Sequence, residues 1–291
     1  VFLDIETERF CIFNINKDTI LRLSTKNILE NYVYKNYNLS ISSSYFCKYV
    51  PIVHIIFHPN KPKFFKNLNE TYSLNTFRFN SAIKLQINPE NRLKKLNFSK
   101  YPNIYRLLNN LFTNENYLYY FINWFSSILN TIKKNRTAII LKGIQGSGKG
   151  LLESFLISYA VGKKQTITIS NEQLSSRFNE ELDNKIFVFA NEIKGDFRDG
   201  NTQYEKLKQW ITDDNILIEG KNLKPKEVKN FFNMIIFSNH DTPLQIQPND
   251  RRYSVFTTNN SKIDNVIGAE NMDKFLKDII NERDDFLKDV V

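Results

Sequence analysis

The spacing of apolar residues changes character twice along the chain. From residue 1 to about 90, short β-branched and aromatic runs such as Ile52 to Phe57 and Thr76 to Phe79 are broken by turn chemistry at His58-Pro59-Asn60-Lys61-Pro62, which predicts strands. From Ile104 to Lys134 the period lengthens: Leu107, Leu108, Leu111, Leu118, Phe121, Ile122, Phe125, Ile128, Leu129 and Ile132 recur at threes and fours, the mark of two helices. A third regime follows. Thr137 to Lys142, Thr166 to Ile169, Ile186 to Ala190, Asn233 to Phe237 and Tyr253 to Thr257 are short, continuous apolar runs, and an amphipathic helix, Leu151 to Tyr159, comes soon after the first. Continuous rather than alternating runs belong to strands buried on both faces, so this part predicts a parallel α/β sheet covered by helices on both sides. The expected organisation is a strand-rich region over 1–95, a helical collar or linker over 96–135, an α/β core over 136–260 and an acidic helical tail over 261–291.

Composition narrows the function. At 291 residues, 41% hydrophobic and 24% charged, the chain is that of an ordinary globular protein. Its longest apolar run, Tyr49 to Phe57, is broken by Pro51 and His54 and is far short of the roughly 20 residues that span a bilayer. No signal peptide is legible, and two cysteines, Cys11 and Cys47, are too few for a disulfide framework. The expectation is a cytoplasmic protein without membrane partners. A chain that opens on Val also reads as a piece of a longer one. Charge is uneven: residues 1–142 carry 20 Lys/Arg against 8 Asp/Glu, and 143–291 carry 20 against 23. The basic first half favours contact with a polyanion such as nucleic acid. His54 and His58 lack an acidic companion and are not read as a metal site.

Glycine changes the picture most. The 38 asparagines match the bias of an AT-rich genome and say little, but only nine glycines occur, none before Gly143, and four fall between Gly143 and Gly150. Gly143-Ile144-Gln145-Gly146-Ser147-Gly148-Lys149 fits G-x-x-x-x-G-K, with roughly 0.03 matches expected by chance at this composition. Glycines let the chain turn tightly and aim backbone N-H groups at phosphate oxygens, the following helix adds its N-terminal partial charge, and Lys149 reaches the β and γ phosphates. A nucleotide is therefore the expected ligand of residues 143–151, Gly150 and Leu151 included. The residue after the lysine is ordinarily Ser or Thr, whose hydroxyl binds Mg²⁺; here it is Gly150.

The other candidate residues stand at strand ends. Ile186 to Ala190 runs into Asn191 and Glu192, which makes Glu192 the candidate general base and, with Asn191, the candidate Mg²⁺ contact. An Asp is more usual at 191, and an amide carries no charge to attract the cation. The run Asn233 to Phe237 ends in Ser238-Asn239-His240, where Asn239 can position an attacking water. Arg251 and Arg252, before the last strand, suit a finger on a neighbouring subunit's γ-phosphate, with an ion pair to Asp250 as the competing role.

This order of motifs resembles a superfamily 3 helicase, one of the AAA+-related P-loop NTPase motors of viral and plasmid replication. Gln145 to Gly150, Arg177-Phe178-Asn179 and Asp250-Arg251-Arg252 resemble the subgroup at the C-terminal end of phage and plasmid primase-helicases and primase-polymerases. The likeness spans about residues 104–260. It implies a homo-oligomer, a hexameric ring, that hydrolyses ATP with Mg²⁺ and translocates on single-stranded DNA 3′ to 5′, in one chain with a primase or polymerase domain. It also implies a hairpin projecting basic residues into the ring; Ile216 to Lys224 takes that place, with Gly220 at the turn and Lys221 and Lys224 near the tip. Nothing in the chain resembles a polymerase catalytic centre. Glu192, Asn239 and the arginines favour a motor; Gly150 and Asn191 favour a nucleotide-binding ring that loads or clamps a primase or polymerase on DNA with little hydrolysis.

Overall fold

The computed structural model describes residues 1–4, 9–14, 19–23, 26–40, 45, 50–59, 61–68, 71–77, 96–193, 200–240, 246–247 and 249–290. The chain divides into two compact units, Val1–Arg78 and Phe79–Val291.

In the first unit the strands are β1 (Phe2–Asp4), β2 (Arg9–Asn14), β3 (Thr19–Arg22), β4 (Ile52–Ile56), β5 (Phe64–Lys66) and β6 (Tyr72–Asn75), joined in the order β3-β2-β1-β4-β6-β5. The β1/β4 and β4/β6 pairs are parallel and the others antiparallel. Alternation sorts the side chains: Phe10 and Leu3 pack with Leu29 and Val33 of the helix Lys26–Tyr37, while Phe2 and Cys11 pack with Val53 and Leu74. That helix was not legible, because its apolar positions are interrupted by Asn31, Tyr34 and Asn36. The strand expected over Thr76 to Phe79 lies at Tyr72–Asn75 instead, and Arg78 and Phe79 fall outside the described residues. Asn75 ends it: its buried amide donates to the carbonyls of His58 and Lys61 at 2.7 Å each, and its oxygen accepts from the N-H of His58 and of Phe77.

The second unit is built on an all-parallel sheet of β7 (Ala138–Lys142), β8 (Thr166–Ile169), β9 (Phe187–Asn191), β12 (Asn233–Ser238) and β13 (Tyr253–Thr257), in the order β13-β7-β12-β9-β8. Because β12 inserts between β7 and β9, the ends of these three strands lie side by side. Ile140, Val188, Ala190, Met234 and Ile236 face one way, onto Leu207, Trp210 and Ile211 of the helix Gly200–Thr212. Phe187 faces the other way, within 6.0 Å of the rings of Trp124 and Phe125 on the helix Glu115–Thr131. Helices thus cover both faces, as the continuous apolar runs require. The two helices expected over Ile104 to Lys134 are Pro102–Leu111 and Glu115–Thr131.

The acidic C-terminal segment packs on this unit. The helix Met272–Val290 buries Phe275, Ile279, Phe286 and Leu287, and Glu282 accepts from the backbone N-H groups of Asn103 and Ile104 at 3.0–3.2 Å. These are free donors of the first turn of Pro102–Leu111, where the helix dipole favours a carboxylate. Among the described residues no helix is long and apolar enough to cross a membrane.

Lys134 carries a pH signature. Its ammonium is buried 5.1 Å over the Phe232 ring and donates to the carbonyls of Trp210 and Asp213, and burial pulls its pKa down to about 7, partly opposed by Asp213 and Asp214. The unfolded chain keeps that proton up to the ordinary value of 10.5, so the unfolded state binds more protons between the two values. Stability from this group therefore rises with pH above about 7, by up to about 1.4 kcal/mol per pH unit. Melting curves of wild type and Lys134→Met should diverge in slope over that range; parallel curves would remove Lys134 as the cause.

Candidate functional site

The loop between β7 and its helix is shaped by three glycines, required by close approach, by left-handed backbone or by both. A Cβ on Gly143 would lie 1.8 Å from Thr258 Oγ1; Gly146 has φ +84°; Gly148 has φ +105° and would place a Cβ 2.6 Å from Leu107 Cδ1. Left-handed φ and close approach both exclude a side chain. Gly150 differs: nothing lies within 4 Å of its Cβ position, so the backbone makes no demand for glycine there. The helix starts at Lys149–Leu151, continues as a π-helical stretch over Leu152–Ile157 and resumes over Ser158–Val161.

The loop is braced from outside. Buried Asn110 donates from Nδ2 to the carbonyls of Ser147 at 2.9 Å and Ser261 at 3.1 Å, and the N-H of Ile263 donates to Gly146 O at 2.8 Å. Asn110 was missed in the sequence, where it is one of 38 asparagines. The available signal was its place on a helix whose neighbouring Leu107, Leu108 and Leu111 are all buried, since a buried amide on an apolar face needs partners.

Lys149, Asn239 and Glu192, far apart in the chain, meet at the strand ends. Lys149 Nζ donates to the carbonyls of Gly143 at 2.8 Å and Ile144 at 2.9 Å and to Asn239 Oδ1 at 3.0 Å; Asn239 Nδ2 in turn donates to Glu192 Oε1 at 3.1 Å. The more distant Ser147 Oγ is 3.4 Å from the same ammonium. Burial pulls the Lys149 pKa below the ordinary lysine value, against the opposing field of Glu192. Glu192 itself has φ +49°, and its N-H is held by Phe237 O at 3.0 Å, which fixes the bend that turns the chain out of β9.

These groups line a cleft of about 580 Å³ together with Gln145, Gly146, Gly148, Gly150, Leu151, Glu153, Asn191, Ile263, Asp264 and Met272. Every loop residue expected to cradle phosphate contributes a wall, a backbone group or a brace. One end carries the ammonium, the amide and the carboxylate. Beside them the cleft wall offers side-chain oxygens from Asn191 and Glu192, and among the described residues no three His, Cys, Asp or Glu side chains gather into a cage. That donor set fits Mg²⁺, which binds through one or two protein oxygens and keeps its waters or takes substrate phosphates.

The two arginines separate. Arg252 Nη1 pairs with Asp250 at 3.1 Å, and its N-H donates to the same carboxylate, which also accepts from Tyr204 OH at 2.6 Å. Burial pushes the Asp250 carboxyl up, but these donors outweigh it and hold it below the usual carboxylate range. Arg251 is exposed and makes no hydrogen bond or ion pair among the described residues. Among the residues that line the cleft, neither arginine is present.

The basic hairpin is present as β10 (Asn215–Ile218) and β11 (Lys226–Lys229), antiparallel, with Lys221 and Lys224 exposed in the connection. Arg177-Phe178-Asn179 is its anchor. Asn179 exchanges hydrogen bonds with the backbone of Glu219 at 2.8 and 3.0 Å and donates to Leu217 O at 2.9 Å, and Arg177 pairs with Glu219.

Residues 141–252 match a family of unknown function (DUF5906). The chain is 31% identical over 263 residues to the DNA primase-polymerase of Nitratiruptor phage NrS-1, covering 89% of this chain and 34% of that protein, so it spans about a third of that relative's length. The apo structure of the NrS-1 C-terminal region superposes over the whole chain with a TM-score of 0.80 at 28% identity, and the chain covers 65% of it; an A-form apo structure of the same region gives 0.78. The protein is thus related, in sequence and in fold, to the C-terminal region of a phage primase-polymerase.

Proposed function

We propose that this chain is the ATP-hydrolysing, superfamily 3-like helicase part of a phage or mobile-element replication protein, a P-loop NTPase of AAA+-like type that forms a ring, hexameric by resemblance, on single-stranded DNA. The observation that carries the proposal is the Lys149–Asn239–Glu192 chain at three adjacent strand ends, beside a glycine loop that opens a helix.

Each residue has a task in that reading. Lys149 exchanges the carbonyls of Gly143 and Ile144 for phosphate oxygens, which its ammonium satisfies with charge-assisted bonds. Backbone N-H groups of residues 146–151 supply the remaining donors. Asn239 orients the attacking water, and Glu192 accepts its proton. Glu192 and Asn191 would hold Mg²⁺, which would supply charge neutralisation at the phosphates. Lys221 and Lys224 follow the DNA backbone, one hairpin per subunit, and Arg251 reaches the neighbour's nucleotide. A head-to-tail interface of that kind makes a ring when its rotation closes. A primase or polymerase domain, present in the NrS-1 relative, is the expected partner within a longer chain.

A second reading, a nucleotide-dependent clamp with little turnover, draws on Gly150 and Asn191. Steady-state ATP hydrolysis with and without single-stranded DNA, with particle mass measured with and without ATP, separates the two. Expected are DNA-stimulated turnover and an ATP-favoured ring, with stimulation that falls steeply with salt and less steeply in Lys221→Ala/Lys224→Ala. A ring without turnover establishes the clamp and removes the motor.

A further inference from the structure

We propose that Glu153 is the metal-side residue that stands in for the missing hydroxyl at Gly150 and the missing carboxylate at Asn191. The inference rests on the Mg²⁺-nucleotide reading of the cleft and names a ligand that the sequence motifs do not.

The argument begins with what the cleft lacks. Gly150 offers no side chain and Asn191 no charge, and Glu192 is engaged by Asn239 on the water side. A dication beside a nucleotide would meet a single carboxylate, that of Glu192, the low end of the one or two that such sites use, so the cleft has room for a second. Glu153 lies on the same helix one turn beyond Gly150, inside the π-helical stretch Leu152–Ile157, and lines the same cleft as Lys149, Gly150, Asn191 and Glu192. π-Helical turns occur often at functional sites, because they re-aim side chains within a helix.

Strand register fixes where its carboxylate points. Neighbours across a parallel pair share a face, so Thr168 on β8 lies on the face that carries Phe189, and Asn191, two residues further along β9, lies there too. The Glu153 carboxylate accepts from Thr168 Oγ1, which places it over that face beside the strand that ends in Asn191. It is half-buried, and among the described residues no Lys or Arg pairs with it. A carboxylate drawn out of water without a cation is costly, and a dication bound in the cleft offsets that cost.

The competing role is a pin between helix and sheet through Thr168. Glu153→Gln separates the two, since an amide oxygen still accepts from the hydroxyl but carries no charge; Thr168→Ala removes the pin and keeps the charge. The measurement is calorimetric binding of a non-hydrolysable ATP analogue over a Mg²⁺ series, together with Mn²⁺ binding followed by paramagnetic resonance in the presence of the analogue. Glu153→Gln should raise the Mg²⁺ concentration for half-maximal nucleotide binding by roughly 10- to 100-fold, with nucleotide affinity in EDTA unchanged. Thr168→Ala should move it far less. Gly150→Ser, which the open space at that Cβ admits, should bring the midpoint of Glu153→Gln back toward wild type. A wild-type midpoint in Glu153→Gln overturns the proposal while leaving the nucleotide site in place. A wild type that binds no nucleotide overturns both.

Discussion

Lys149→Ala loses nucleotide binding, while Glu192→Gln at saturating Mg²⁺ still binds ATP and fails to turn it over. The difference follows from what each side chain touches. The Lys149 ammonium is half-buried and held over the loop by two carbonyls and by Asn239, so it is already desolvated at the position where phosphate charge arrives. Removing one partner of a desolvated charge pair costs about 2–5 kcal/mol, on the order of 30- to 4,000-fold in affinity. Glu192 is exposed at the end of β9 and contacts the lysine only through Asn239. Its amide analogue keeps the hydrogen-bonding shape but cannot take a proton, a loss of roughly 10²- to 10⁴-fold in turnover, with little effect on ground-state binding once Mg²⁺ is saturating. Fluorescence titration with a labelled ATP and single-turnover hydrolysis, run on both variants, give the two columns to compare. Equal turnover in wild type and Glu192→Gln would remove Glu192 as the base.

What the sequence made legible depends on how much each residue's meaning is local. The loop 143–149 declares itself because close approach at Gly143 and Gly148 and left-handed backbone at Gly146 and Gly148 exclude side chains, and such requirements leave a composition mark where glycine is scarce. The parallel strands were legible because burial on both faces leaves continuous apolar runs. Asn239 was legible only through the order of strands: its partners, Lys149 and Glu192, are 90 and 47 residues away, and the sheet brings them together by inserting β12 between β7 and β9. Asn110 and Glu153 were not legible. Each is an ordinary polar residue on a helix, and only the tertiary packing that sets one behind the loop and the other over β8 gives it a function. Arg177-Phe178-Asn179 lies between these cases, since its pattern was noticed but its task, holding the base of the basic hairpin, required the hydrogen bonds of Asn179 to Glu219 and Leu217.

Arg251→Ala should abolish turnover, and mixing it with Lys149→Ala subunits should restore part of it. The pair of arginines offers an internal control. Arg252 is committed within its own subunit, closing on Asp250, which Tyr204 also holds; its guanidinium cannot leave without unpairing a carboxylate that is 3% exposed. Arg252→Ala therefore lowers thermal stability and gains nothing from mixing. Among the described residues Arg251 has no hydrogen-bond or ion-pair partner, and it is exposed and absent from its own cleft, the arrangement of a group that acts on a neighbour. A finger of that kind contributes about 10³ to 10⁵ in rate, so each variant alone is nearly inert. In a head-to-tail ring assembled from equal amounts of the two, roughly a quarter of the interfaces join an intact loop lysine to an intact arginine and regain activity. The experiment also distinguishes assembly from chemistry: rescue requires that the two variants share a particle, so mass measurement of the mixture must show rings. If rings form and no activity returns, Arg251 does not act across the interface, and its exposure has another cause.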